Sequence, residues 1–236
     1  MTENRIRVPG LIVWGACITG DERMLQRTIR VLRYCKQVFD TDHKPVLFAP
    51  LCTVDSSGID RFWIPKMDMS QLSIFCNLGA PRGLLETGAE YALAVHEDGF
   101  PINPSMWSDE FLKYDYIGAP WDPQQCGGWP LGSGWGKELL VGNGGFCLQS
   151  ARMLVLCLGM PITPEIHNTA SDVYVCRLQR KWFEEHGATF APPEVALRFS
   201  TEQTNQDSNS FGFHGRSVAT QKYQRGWDII AFSEKP

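Results

Sequence analysis

The sequence predicts an α/β domain: a mixed, mostly parallel central sheet flanked by helices, with a Rossmann-like nucleotide-binding half. Three observations carry this. Residues 11–18 (Leu-Ile-Val-Trp-Gly-Ala-Cys-Ile) form an apolar run of strand length, followed by a helical pattern and a second apolar run at Pro45–Ala49. Strand, helix, strand is how a doubly wound nucleotide-binding half opens. A later apolar run, Tyr91–Val95, ends in His96-Glu97-Asp98-Gly99, which puts charge at the carboxyl edge of a sheet, where open α/β folds bind ligands. Lastly, 236 residues with 43% hydrophobic and 20% charged side chains suit one domain with a single substantial core.

The elements follow in order. Thr19-Gly20-Asp21-Glu22 has capping-box spacing, with Thr19 as N-cap and Glu22 three residues later. Met24, Leu25, Ile29, Leu32 and Cys35 then recur at helical spacing, predicting a helix to about Phe39. Arg61–Ile64 reads as a further strand. No Gly-x-Gly-x-x-Gly or Walker pattern follows the first strand, which argues against a dinucleotide or P-loop site. Ser70–Ala89 reads as helical in parts, broken around Gly79-Ala80-Pro81. Asn103-Pro104 has the form of a helix start, cap then proline, with the helix running to about Lys113.

Tyr114–Gly118 reads as a strand. Ala119–Lys137 holds five glycines, three prolines and three tryptophans without a period, so it reads as a long functional loop in which Trp121, Trp129 and Trp135 are core residues or a stacking platform. Leu139–Leu148 is a strand interrupted by glycine, where a ligand or another backbone can approach closely. Ser150 is placed to cap a helix through Leu158. Ser171 or Asp172 caps another that carries Val175, Leu178, Trp182 and Phe183 and stops at Gly187. Thr201–Ser210 is a polar tract and reads as a loop.

Composition excludes several classes. No stretch reaches the roughly 18 apolar residues of a membrane span, and the opening Met-Thr-Glu-Asn-Arg has no signal-peptide pattern, so a cytoplasmic protein is expected. A net charge of −4 does not suit coating nucleic acid. Two basic groups, Arg177/Arg180/Lys181 and Arg216/Lys222/Arg225, read as solvated faces, with phosphate binding as the alternative. The eight cysteines contain no Cys-x-x-Cys pair and several lie in apolar runs, the pattern of reduced, hydrophobic thiols rather than a zinc site.

The order of motifs also carries a resemblance. His96-Glu97-Asp98-Gly99-Phe100 is followed by Trp107–Phe111, Tyr114-Asp115-Tyr116-Ile117-Gly118-Ala119-Pro120-Trp121, Val141-Gly142-Asn143-Gly144-Gly145-Phe146, Ser171-Asp172-Val173 and Phe211-Gly212-Phe213-His214-Gly215. Over roughly residues 90–215 this resembles a domain-of-unknown-function family of GT-A-type glycosyltransferases. The resemblance implies a single GT-A-like domain over 1–236, about 10–100 forming the nucleotide-binding half and about 101–236 the acceptor and catalytic half. It implies an Asp-x-Asp-like motif whose last acid is Asp98, with His96 in place of the first, binding Mn²⁺ or Mg²⁺ together with His214. Thr19, His96, Glu97, Gly144, Gly145 and Arg216 are assigned to the nucleotide-sugar donor, and Asp172 to catalysis as general base, with Ser171 where relatives carry another acid.

The implied reaction moves a sugar to a hydroxyl acceptor: a glycan, a small molecule, a protein or a hydroxymethylated DNA base, so nucleic acid enters only as acceptor. Two other readings stay open. One is a non-catalytic nucleotide- or glycan-binding module. The other is a nucleotidyltransferase, which would normally show a Gly-rich basic loop after the first strand, absent here. Retention of Asp98, Asp172 and His214 favours activity.

Overall fold

The computed structural model describes residues 5–121, 141–202, 209–216 and 220–234. The chain enters through β1 (Ile6–Arg7) and β2 (Leu11–Ala16), continues through α1 (Glu22–Val38) into β3 (Phe39–Asp40), then β4 (Val46–Ala49) and β5 (Asp60–Trp63). A helical segment follows, including α2 (Leu72–Ile74) and α3 (Ala80–Glu86). Next come β6 (Tyr91–Val95), β7 (Gly99–Pro101), β8 (Tyr116–Ile117), β9 (Phe146–Ser150) and α4 (Ala151–Gly159). The last elements are α5 (Ser171–Val173), α6 (Arg180–Glu185), α7 (Pro193–Phe199), β10 (Ser200–Thr201), β11 (Gly212–His214) and α8 (Thr220–Ser233).

Six strands form the main sheet in the order β5-β4-β2-β6-β9-β8. The first four run parallel, while β9 is antiparallel to both β6 and β8. The expected mixed, mostly parallel sheet is therefore present. Its inner strands are apolar at nearly every position because a parallel sheet is covered on both faces; Leu11 to Trp14 and Ala92 to Val95 are all buried. On one face lies α1, burying Leu25, Ile29, Leu32 and Cys35 at helical spacing, as expected.

A second, smaller sheet, β10-β11-β7, stands beside the main one. Phe111, Phe146, Phe199 and Phe211 join the two: Phe146 stacks on Phe199 at 5.0 Å, and Phe211 lies about 6 Å from each. Offset and tilted aromatic contacts of this kind add stability beyond their buried area. Arg30 and Glu234 (2.6 Å) and the Phe100–Trp227 ring pair hold α8 across this end.

Several local expectations are corrected. The cap of α1 is Asp21, whose Oδ1 accepts the Met24 N–H (2.8 Å); Thr19 sits further out and accepts from the Asp21 N–H. The segment around Gly79-Ala80-Pro81 does not break. A π-helical turn at Phe75–Gly79 carries the chain into α3, with the Ala80 N–H bonding Phe75 five residues back, and such a turn tolerates a proline that lacks its own N–H.

Asn103 stands at the N-cap position of a short turn with Pro104 first, as expected, but its side chain makes no capping bond. Its amide donates to the Ser210 carbonyl (2.7 Å) and accepts from Arg225 (2.7 Å), and only 3-10 turns, Pro104–Met106 and Asp109–Lys113, replace the expected helix. The N-cap of α5 is Ala170, not Ser171 or Asp172. Of the strand expected over 139–148, Val141 forms a bridge to Pro120 and β9 begins only at Phe146. Ser150 does cap α4 through the Met153 N–H, and Gly187 ends its helix at φ +81°.

Cys17, Cys35, Cys52, Cys76, Cys147, Cys157 and Cys176 are free, and all but Cys52 and Cys76 are buried. Among the described residues no helix is long and apolar enough to cross a membrane. Trp129, Trp135 and most of the Ala119–Lys137 loop lie outside the described residues, as does the middle of the Thr201–Ser210 tract.

Candidate active site

Strand β6 delivers the acidic turn to the carboxyl edge of the sheet. His96 and Gly99 exchange both backbone hydrogen bonds (2.8 and 3.1 Å), closing a two-residue hairpin with Glu97 and Asp98 at its tip. The chain returns as β7, whose Gly99 pairs with His214 of β11. Two residues far apart in sequence are thereby brought together. The Asp98 carbonyl accepts the Gly215 N–H (2.8 Å), which fastens the hairpin to the end of β11.

His96, Asp98 and His214 form one cluster whose ligand-capable atoms all lie within 4.8 Å of one another. His214 Nε2 is 3.6 Å from Asp98 Oδ1, and its Nδ1 is 3.0 Å from Glu202 Oε1. The imidazole rings of His96 and His214 are 5.9 Å apart and steeply inclined. The ring of His214 fits because Gly145 beneath it has no side chain: a Cβ there would come within 1.9 Å of Nε2.

Burial, then the charge of His214, lowers the His96 pKa. For His214, burial lowers the pKa, but the Glu202 hydrogen bond and the charges of Glu202, Asp98 and Asp172 outweigh it and the net shift is upward.

Asp172 enters from α5. Its Oδ2 accepts the Gly144 N–H (3.0 Å) and its Oδ1 the Val173 N–H (2.9 Å). Asn143 makes the first contact possible. It adopts φ +71°, a left-handed conformation that Asn tolerates better than most side chains, and its side chain accepts the Gly145 N–H (3.0 Å). Desolvation, helped by the charge of Glu202, raises the Asp172 pKa despite those two N–H donors.

Glu97 is held from two sides. Arg27 bonds one oxygen at 2.9 Å and Arg216 closes on the other. Tyr223 accepts from Arg27 (2.8 Å) and reaches the same carboxylate. The Arg216 backbone N–H also meets Asp98 Oδ2 (3.3 Å).

Two cavities open on this cluster and share Asp98, Glu202 and His214. One, about 580 Å³, is also bounded by His96, Gly144, Gly145, Asp172 and Trp121. The other, about 780 Å³, is bounded by Asp21, Arg23, Arg27, Glu97 and Arg216. Thus His96, Glu97, Asp98, Gly144, Gly145, Asp172, His214 and Arg216 converge, whereas Thr19 is not among the residues lining either cavity.

Trp121 is buried in the wall with the Arg177 guanidinium over its ring (4.5 Å). Arg180 pairs with Glu184, Lys181 with Glu185 and Arg225 with Asn103, so neither basic group as a whole faces the cavities. Sequence reading missed Arg27, Tyr223 and Glu202. Glu202 follows β10, which runs parallel to β11 with Thr201 opposite Phe213; only knowledge of that pairing puts it next to His214.

The fold is that of GT-A glycosyltransferases. A glycosyltransferase involved in glycosylation of the major capsid of PBCV-1 superposes with a TM-score of 0.54 at 10% identity, covering 93% of this chain and 98% of its own. The galactosyltransferase LgtC, in complex with donor and acceptor sugar analogs, gives 0.54 at 12% identity over 95% and 97% of the two chains. No curated protein matches the chain in sequence. Residues 85–214, more than half of the chain, match the family described as "Protein of unknown function (DUF5672)", and the chain belongs to that family.

Proposed function

We propose that the protein is a metal-dependent glycosyltransferase that moves a sugar from a nucleotide-sugar donor to a hydroxyl acceptor. One observation carries the reading: the His96–Asp98–His214 cluster sits at the carboxyl edge of a sheet whose fold is shared with glycosyltransferases, one of them holding donor and acceptor sugar analogs. The residues fit a divalent cation. They supply two imidazoles and one carboxylate, converging over about the span that donors of one ion occupy at about 2.2 Å each. A bound divalent ion would neutralise charge on the departing diphosphate.

The other residues then take separate tasks. Arg27 and Arg216 lie at the rim of the larger cavity and supply positive charge beside the diphosphate. Gly144 and Gly145 border the cavity in which donor sugar and acceptor meet, and their lack of side chains lets Asp172 and His214 pack close. Asp172, held by the Gly144 and Val173 N–H groups, takes the proton of the acceptor hydroxyl as the anomeric bond breaks. In this reading residues 1–236 act as one domain, about 10–100 serving the nucleotide and about 101–236 the acceptor and catalysis.

The test is a panel of nucleotide-sugars with Mn²⁺, read by thermal shift and by release of free nucleoside diphosphate. Stabilisation and slow hydrolysis of one donor, both lost in chelator, are expected. No stabilisation by any donor, with or without metal, would overturn the reading.

A further inference from the structure

The cluster differs from an all-oxygen cation site in a way that bears on which ion it accepts. Of its three donors, two are imidazole nitrogens. His214 is fixed in that role: Glu202 engages Nδ1 at 3.0 Å, leaving Nε2 as the atom beside Asp98, and a carboxylate behind a metal-binding imidazole sets its orientation and tautomer. The neighbouring carboxylates are engaged elsewhere. Glu97 is closed on by Arg27 and Arg216, and the two Asp172 oxygens accept backbone N–H groups. Among the described residues Asp98 is the one carboxylate that groups with the two imidazoles, and its Oδ1 is the oxygen beside His214 Nε2.

Mg²⁺ and Ca²⁺ are hard ions that take oxygen ligands. Imidazole suits later first-row ions, whose affinity for such sites rises from Mn²⁺ through Fe²⁺ and Co²⁺. We propose that this site selects a nitrogen-tolerant transition-metal ion over Mg²⁺ and Ca²⁺, and that His96 sets the selectivity. The inference rests on the metal reading given above. Within the accepted ions Mn²⁺ is the weakest binder and Co²⁺ and Zn²⁺ are tighter.

Metal binding is measured on the full chain without any nucleotide, because a diphosphate chelates Mg²⁺ by itself. Mn²⁺ bound to the protein is followed by its electron paramagnetic resonance signal and challenged with competitors. Mg²⁺ at about 100-fold excess should leave most Mn²⁺ bound, whereas Co²⁺ near equimolar should displace it. The visible spectrum of the Co²⁺ form should carry bands of a nitrogen-ligated ion and shift in His96→Asp. That variant should also let Mg²⁺ compete at about tenfold lower concentration than in wild type.

Displacement of Mn²⁺ by comparable Mg²⁺ in the wild-type protein overturns the inference whatever the variant does. If that happens while Mn²⁺ still promotes donor binding, the glycosyltransferase reading stands and only the selectivity falls. If no divalent ion binds, alone or with a nucleoside diphosphate, both fall together.

Discussion

The cavity holding Arg27 and Arg216 and the cavity holding Asp172 share Asp98, Glu202 and His214, yet they differ in what surrounds those residues. Around the first, full charges are arranged in pairs: two guanidiniums on Glu97, one of them also touching Asp98 through its backbone. Around the second, backbone N–H groups and bare glycines meet one half-buried carboxylate with an upward-shifted pKa. A site built for a diphosphate needs the first kind of surface, and a site where a neutral hydroxyl loses a proton needs the second. In the proposed reading, the shared cluster lies where the two tasks join. Substitutions on either side should therefore separate donor binding from transfer.

The largest effect belongs to the shared cluster. Asp98→Ala should abolish metal-dependent donor binding and leave the fold nearly intact, since Asp98 sits at the tip of a hairpin. Donor affinity equal to wild type, in chelator as well as in Mn²⁺, would place the site elsewhere.

On the Asp172 side, Asp172→Asn keeps the shape and one hydrogen-bond acceptor but removes the base. Transfer should drop about 10²–10⁴-fold with donor affinity unchanged. The wild-type rate should also fall on acidification, because the base works only when deprotonated. Burial raises the Asp172 pKa, so the fall begins at higher pH than for an exposed aspartate, whose pKa is about 3.9. A pH–rate profile of the transfer step reads both points. Near-normal turnover in Asp172→Asn would reduce the residue to a structural anchor for Gly144.

On the arginine side, Arg27→Ala should weaken donor binding by about tenfold, the loss of one charge-assisted contact, with little change in transfer at saturating donor. Titration of donor and of acceptor separately tells the two apart. If Arg27→Ala slowed transfer and left donor affinity alone, the two cavities would have to exchange roles.

The same contrast explains what was legible in the sequence. The amino-terminal part of the sheet announces itself because β2, β4 and β6 are apolar runs and α1 repeats at 3.6 residues; the period is local and needs no partner to be seen. The apolar run of β6 pointed to His96 and Asp98 at the sheet edge, whereas the roles of His214, Gly145 and Asp172 were reachable only through motif resemblance. Arg27, Glu202 and Tyr223 were not reachable at all. Arg27 meets Glu97 seventy residues away, and Glu202 meets His214 through pairing of strands only two and three residues long, too short to show a period. Helix starts misled for a related reason. Asn103 carries the right pair of residues for a cap, but a buried contact to Ser210 and Arg225 claims its side chain, so tertiary bonding overrides the local preference.

The smallest predicted effect separates a wall residue from a working one. Asp21 borders the arginine-side cavity, yet Oδ1 accepts the Met24 N–H as the N-cap of α1. Removing such a cap costs about 1 kcal/mol, which in a chain of this size lowers Tm by roughly 2–4 °C. Asp21→Ala should show that shift in a thermal melt while donor affinity stays within about twofold. Thr19→Ala, two positions outside the cap, should shift the melt by less, since Thr19 only accepts the Asp21 N–H at 3.3 Å. Donor affinity discriminates further, because Thr19 was assigned to the donor from sequence and yet lines neither cavity. A clear loss of donor binding in Thr19→Ala with an unchanged melt would extend the nucleotide site back to the end of β2. Loss of donor binding in Asp21→Ala beyond what the melt explains would make the cap carboxylate part of the nucleotide contact and would enlarge the charged side of the comparison.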